Sequence, residues 1–353
     1  MIRRTLSATI VFLFCLQNAA AEECGAAGGL KYVCGPQNAE DLVLVPHTRW
    51  VLSSGMLAGG GIYLIDSGQR SWSQLYSEDT RIVRQDMATY GACPGAPDPL
   101  HLETHGLNIR AGENGHSTLY VVGHGGREAI EVFAVDANEE EPLLTWIGCV
   151  LMPEGLAANS VASFTDGALV VTVLSYPDKT FADMFAGRNT GAIYEWSPGD
   201  SGFTLIQGTE LPGNNGIEVS ADETELFVAS TGLRTVVAFS NSNPSTQLRS
   251  TRVLELIPDN VHMMADGRLL TAGTSADSEE CGPLDFENKT LEEFASCPRG
   301  FIAVAIDPET MEDTNLAEGP ANPVFSNATM ALEVGDDVWI GTFSGNRIGI
   351  AGK

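Results

Sequence analysis

Six times along this chain the same pattern recurs: a short apolar strand with a polar residue at its head, a turn, and a second apolar strand. The copies are Asp41-Leu-Val-Leu-Val-Pro with Arg49-Trp-Val-Leu-Ser-Ser-Gly, His105-Gly-Leu-Asn-Ile with Leu119-Tyr-Val-Val-Gly-His, and Asn159-Ser-Val-Ala-Ser-Phe with Ala168-Leu-Val-Val-Thr-Val. They continue with Asn215-Gly-Ile-Glu-Val-Ser and Glu225-Leu-Phe-Val-Ala-Ser, Asp259-Asn-Val-His-Met-Met and Arg268-Leu-Leu-Thr-Ala-Gly, and Asn327-Ala-Thr-Met-Ala-Leu and Asp337-Val-Trp-Ile-Gly-Thr. A third apolar strand follows most copies, for example Gly61-Ile-Tyr-Leu-Ile-Asp and Phe301-Ile-Ala-Val-Ala-Ile-Asp. Spacing of this kind with little helical periodicity is the mark of propeller blades. The expected fold is all-β, a six-bladed β-propeller with an axial metal site, occupying residues 22–353 as one domain. A large sandwich or two barrels would not require the same order six times. The inserts at 67–99, 176–190 and 275–299 read as top-face or edge loops, with Phe181 to Phe185 as a short apolar helix over a pocket or as packing.

Residues 1–21 carry Arg3 and Arg4, an apolar run from Ala8 to Leu16 and the small-residue stretch Ala19-Ala20-Ala21, which fits a secretory signal peptide cut before Glu22. The protein is then secreted or periplasmic. Six cysteines remain, at 24, 34, 93, 149, 281 and 297, an even number that suggests three disulfides. The local pairs Cys24 to Cys34 and Cys281 to Cys297 are favoured. Losing two arginines takes the formal charge from −27 to −29, which opposes nucleic acid and anionic lipid and attracts cations. Beyond the leader no apolar run is long enough for a transmembrane segment. No G-x-S-x-G, H-E-x-x-H, phosphate loop or C-x-x-C occurs, so serine hydrolase, zincin, nucleotide and thioredoxin-like chemistry lack a basis.

Two histidines flank one hairpin. With Asn114-Gly115 as a type I′ turn, paired residues sum to 229, which sets His105 directly opposite His124; a three- or five-residue turn would shift the register and leave two unrelated rim histidines. Imidazoles so placed perturb each other's proton affinity. His47, His101, His116 and His262 lack such partners and read as surface or turn residues. In a propeller the head of each innermost strand lies beside the central channel, so Glu40, Asp41, His105, Asn159, Asn215, Asp259 and Asn260 converge there. Carboxylates from Glu40 and Asp259 with amide oxygens from Asn159, Asn215 and Asn260 suit Ca²⁺ better than zinc or a redox metal.

Ala39-Glu-Asp-Leu with its Ser-Ser-Gly, His105-Gly-Leu, Val-Val-Gly-His124, Glu131-Val-Phe, Asn159, Asn215-Gly-Ile and Pro258-Asp-Asn-Val resemble, in order and spacing, the paraoxonase/arylesterase family. More broadly the chain is similar to regucalcin, gluconolactonase and strictosidine synthase-like propellers. The resemblance implies a catalytic calcium on Glu40, Asn159, Asn215, Asp259 and Asn260, with His105 and His124 as a dyad above it. It also implies a second, structural calcium on Asp41, the carbonyl of Leu107 and position 160, where this chain has serine in place of a carboxylate. Thr274 stands where a further active-site histidine is expected, and no cysteine follows Cys297 to join the N-terminus to the last blade. The implied activity is calcium-dependent hydrolysis of a small-molecule lactone or aryl ester, with water activated by the dyad. The rivals are a sugar lactonase of the gluconolactonase type and a non-catalytic binding propeller whose calcium is structural.

Overall fold

The computed structural model describes residues 24–244, 246–284, 286 and 290–352. The leader expected at residues 1–21 lies outside the described residues. Six sheets are arranged in chain order, and in four of them the innermost strand comes first in sequence and its neighbours follow outward. Blade 1 runs from Leu42–Leu44 to Ser71–Leu75, blade 2 from Glu103–Ala111 to Leu143–Leu151, and blade 3 from Val161–Ser163 to Thr204–Leu205. Blade 4 spans Asn214–Val219 to Gln247–Ser250, and blade 5 spans Leu256–Met263 to Asp313–Gly319. Blade 2 gains a fifth, parallel strand, Ile82–Val83, on its outer edge.

Blade 6 closes the ring. Its inner three strands are Ala328–Val334, Asp337–Thr342 and Arg347–Gly352, and its outer strand is the N-terminal Lys31–Cys34, antiparallel to Arg347–Gly352. Main-chain pairing between the two ends of the chain therefore does the fastening that no cysteine of the last blade can do. The disulfides are Cys24–Cys34, Cys93–Cys149 and Cys281–Cys297, so both local pairs form as expected. Large apolar side chains, among them Trp146, Phe133, Phe227, Phe239 and Trp339, are fully buried in the blades and between them.

The hairpin of blade 2 departs from its expected register. Asn114 and Gly115 are the turn centre, with φ of 54° and 76° and a bond from His116 N–H to the Glu113 carbonyl. Directly beyond the turn Gly112 N–H bonds the His116 carbonyl, and the arms slip by one residue, so Ala111 pairs Ser117 and Leu107 pairs Val121. A second irregularity between Thr104 and Leu107 puts Glu103, not His105, opposite His124. This is a bulge, in which one extra residue on one strand turns the local side chains.

Bulges at the same place recur in three other blades, between Asn214 and Ile217, Pro258 and Val261, and Ala328 and Ala331. Each carries two residues across one partner, and the first of the two, His105, Asn215, Asp259 or Thr329, lines the upper channel. Adjacent blades are in close contact here. A Cβ on Gly216 would lie 2.4 Å from Val261 N and 2.6 Å from the Asp259 carbonyl oxygen. Both neighbours are backbone and cannot yield without moving the bulge. Gly216→Ala is expected to cost about 1–3 kcal/mol, read as a lower denaturant midpoint at unchanged slope; an unchanged midpoint contradicts this packing.

Candidate active site at the channel mouth

A cavity of about 150 Å³ opens at the head of the channel, floored by Glu40, His105, Asn159, Asn215, Asp259 and Thr329. Each blade supplies one of these residues or the segment leading into it. The floor is short of donors. Glu40 Oε2, Asn159 Oδ1, Asn215 Oδ1 and Asn260 Oδ1 are buried and have no hydrogen-bond partner. Asn260 Nδ2 donates to Glu40 Oε1 at 2.6 Å and Asn215 Nδ2 to Thr231 Oγ1 at 3.0 Å, which leaves both amide oxygens free. Burial, with repulsion from Asp259 and Asp41, pushes Glu40 well above the usual carboxylate range. Burial also raises Asp259, to about 7, a rise opposed by its Asn215 hydrogen bond and aided by Asp41.

Such a set can accept a hard cation. Two carboxylates and three amides supply only oxygen, and a divalent ion among them would satisfy the orphaned lone pairs and neutralise the paired charge. Among the described residues no three His, Cys, Asp or Glu side chains gather as a metal site. The donors that fit are mostly amides.

The donors for a second ion do not fit. Asp41 Oδ1 accepts from Leu42 N–H at 2.8 Å and meets His262 Nε2 at 2.9 Å, while Oδ2 accepts from Leu107 N–H at 2.7 Å. Ser160 Oγ accepts from Ile217 N–H at 3.3 Å. His262, expected at the surface or in a turn, is instead buried between Asp41 and Glu218, with its Nδ1 3.6 Å from Glu218 Oε2. Burial pulls its pKa down, but the two carboxylates prevail and hold it at about 10. A cationic side chain already stands in this place. His47, His101 and His116 are exposed, as expected.

His105 and His124 meet despite the shifted register. His105 Nδ1 lies 3.2 Å from His124 Nε2, with ring centroids 5.4 Å apart. The bulge turns His105 inward, its side chain only 12 % exposed, with Nε2 3.7 Å from Glu40 Oε1. Burial, and then His124, push the His105 pKa down to about 3, so the ring is neutral. The far nitrogen of His124, Nδ1, is 2.5 Å from Glu128 Oε2. Sequence reasoning overlooked Glu128; the available signal was its i+4 position across the Gly125-Gly126 turn. It also overlooked Thr329, which takes the channel position in blade 6, while Asn327 turns to the Ala295 carbonyl and Ser344 Oγ.

The ceiling is apolar. Helix α1, Phe181–Phe185, begins with a capping box of Thr180 and Asp183, and helix α2, Leu291–Ala295, with one of Thr290 and Glu293. Phe185 and Phe286 stack at 4.3 Å, and Phe286 meets Phe294 at 5.0 Å. With Met56, Leu174 and Ile257 they wall the cavity above the polar floor.

No family model matches the chain, and no curated protein matches it in sequence. Solved structures match its fold. A luciferin-regenerating enzyme superposes with a TM-score of 0.53 at 12 % identity, over 91 % of this chain and 93 % of the other. A candidate gluconolactonase gives 0.52 at 15 % identity, over 93 % of each chain. A calcium-binding protein, regucalcin, from Agrobacterium tumefaciens gives 0.49 at 11 %, over 93 % and 95 %. At these identities the likeness is one of fold alone, a six-bladed β-propeller.

A direct test of the floor replaces one orphaned oxygen by an apolar group of similar shape. Asn159→Leu is expected to melt at or above the wild type in chelator, because an unsatisfied acceptor is gone. In calcium it is expected to melt below it, losing up to about 2.7 kcal/mol where free ion stands at 100 times Kd. Equal melting temperatures for wild type and variant in calcium contradict a cation on this floor.

Proposed function

We propose that this protein is a calcium-dependent hydrolase of lactones or aryl esters with an apolar substituent. The observation that carries the reading is His105, neutral through burial and 3.2 Å from His124, in one cavity with the orphaned oxygens of Glu40, Asn159 and Asn215. Glu40, Asn159, Asn215, Asp259 and Asn260 would hold one calcium ion, which supplies Lewis acidity toward a substrate carbonyl. A second ion on Asp41 and Leu107 is not part of the proposal, since His262 and backbone amides already take the Asp41 oxygens.

His105 acts as general base through Nε2. A proton passes from water to that nitrogen, the water oxygen bonds to the substrate carbonyl carbon, the ester C–O bond breaks, and the proton returns to the departing oxygen. His124, at 3.2 Å, holds the His105 ring in place through Nδ1. The phenylalanines above the floor bury the substituent and keep bulk water from the reacting centre.

This ceiling argues against a sugar lactone, whose hydroxyls would need polar partners that Phe181, Phe185, Phe286 and Phe294 do not offer. Three disulfides accord with folding in an oxidising compartment, and among the described residues no helix is long and apolar enough to cross a membrane. Export is therefore part of the proposal.

A panel of phenyl acetate, short- and long-chain γ-lactones, an acyl-homoserine lactone and gluconolactone separates the readings. Turnover is expected on alkyl-substituted lactones or the aryl ester, lost on chelation and restored by calcium. His105→Gln is expected to remove turnover with calcium-dependent melting retained. Preference for gluconolactone would favour the sugar lactonase, and calcium-raised melting with no turnover on any member would make the protein a binding propeller.

A further inference from the structure

We propose that Glu128 is the third member of the histidine pair, a positioning residue that fixes which nitrogen of each ring carries the proton and so leaves His105 Nε2 bare toward the cavity. The inference rests on the hydrolase reading for its catalytic consequence but not for its geometry.

The argument follows from what each atom can do. A carboxylate only accepts, so His124 Nδ1, 2.5 Å from Glu128 Oε2, must donate. A neutral imidazole carries one proton, which leaves His124 Nε2 as an acceptor. His105 Nδ1, 3.2 Å from that nitrogen, must then donate to it. His105 Nε2 is left with its lone pair on the cavity side, the form a general base requires. Reversing the first bond would reverse the chain and put a proton on the base.

Local structure commits Glu128 to this task. The turn after His124 brings the chain straight back: Gly125 has φ of +89°, and a Cβ there would meet the His101 carbonyl oxygen at 2.0 Å. Met152 N–H bonds the Glu128 carbonyl at 3.0 Å and pins its backbone to the end of the neighbouring strand Leu143–Leu151. The neighbouring Arg127, the obvious competitor, gives its guanidinium to Glu131 at 2.7 and 2.8 Å and to the Gly95 carbonyl at 2.7 Å. A base oriented by a second group that is itself oriented by a carboxylate is the general logic of nucleophile activation.

The test pairs kinetics with ring-nitrogen NMR on the full chain. In the wild type, long-range proton–nitrogen spectra are expected to show His124 protonated at Nδ1 and bare at Nε2. Glu128→Ala is expected to lose this preference and to lower kcat about 10–100-fold with little change in KM. Glu128→Gln, whose side-chain carbonyl can still accept, is expected to restore most of both. An Nε2–H tautomer in the wild type, or an unchanged tautomer and kcat in Glu128→Ala, overturns the assignment. The hydrolase reading fails separately: with no turnover on any ester or lactone the spectra alone decide Glu128, and with turnover that survives in His105→Gln the base is misassigned whatever Glu128 does.

Discussion

An oxygen acceptor buried without a donor costs about 1–3 kcal/mol, and this fold gathers four of them at one point on its axis. A propeller brings the head of every innermost strand to the channel, so the polarity of those heads is decided collectively. Bulges at four of them turn a side chain toward the cavity, and neighbouring blades then lock the bulges in position. The donors nearby are already engaged, Asn260 Nδ2 by Glu40 and Asn215 Nδ2 by Thr231, so internal rearrangement cannot satisfy the remaining lone pairs without breaking these bonds. A cation can. The rigidity that makes the floor costly without one is what would make it selective for a hard ion.

The two levels of the channel solve the same electrostatic problem differently. Below the floor, Asp41 and Glu218 flank His262, whose raised proton affinity supplies a positive charge from within the chain. Above it, Glu40 and Asp259 share the site with His105, which burial keeps neutral and which therefore offers no compensating charge. One level is closed by the protein's own chemistry, and the other keeps buried acceptors without donors. The aromatic ceiling then sets what can approach, since Phe185, Phe286 and Phe294 contact one another over the cavity and present little polarity.

Much of this was legible in the sequence because a sixfold repeat is a long-range signal: each blade confirms the others, and the inner three strands of a blade alternate or run apolar as buried strands must. The outer strands were not. Gln247–Ser250 and Thr204–Leu205 are short, largely polar and half-exposed to exposed, so no burial pattern distinguishes them from loop. The meeting of His105 and His124 was expected for an incorrect reason. Register arithmetic assumed an unbroken ladder, whereas a slip at the turn and a bulge at Thr104 to Leu107 displace the pairing, and the same bulge turns His105 into contact with His124. His262 and Glu128 were missed because their partners lie on other blades or across a turn, and strand periodicity carries no record of either.

Calcium titrated by calorimetry into chelator-treated full-length protein at neutral pH tests the central claim most directly. One ion per chain is expected, with binding lost in Asn215→Leu, which removes a floor oxygen and leaves Asp41 and His262 intact. Two ions per chain, or none, would contradict a single cation held by the oxygens of the channel floor.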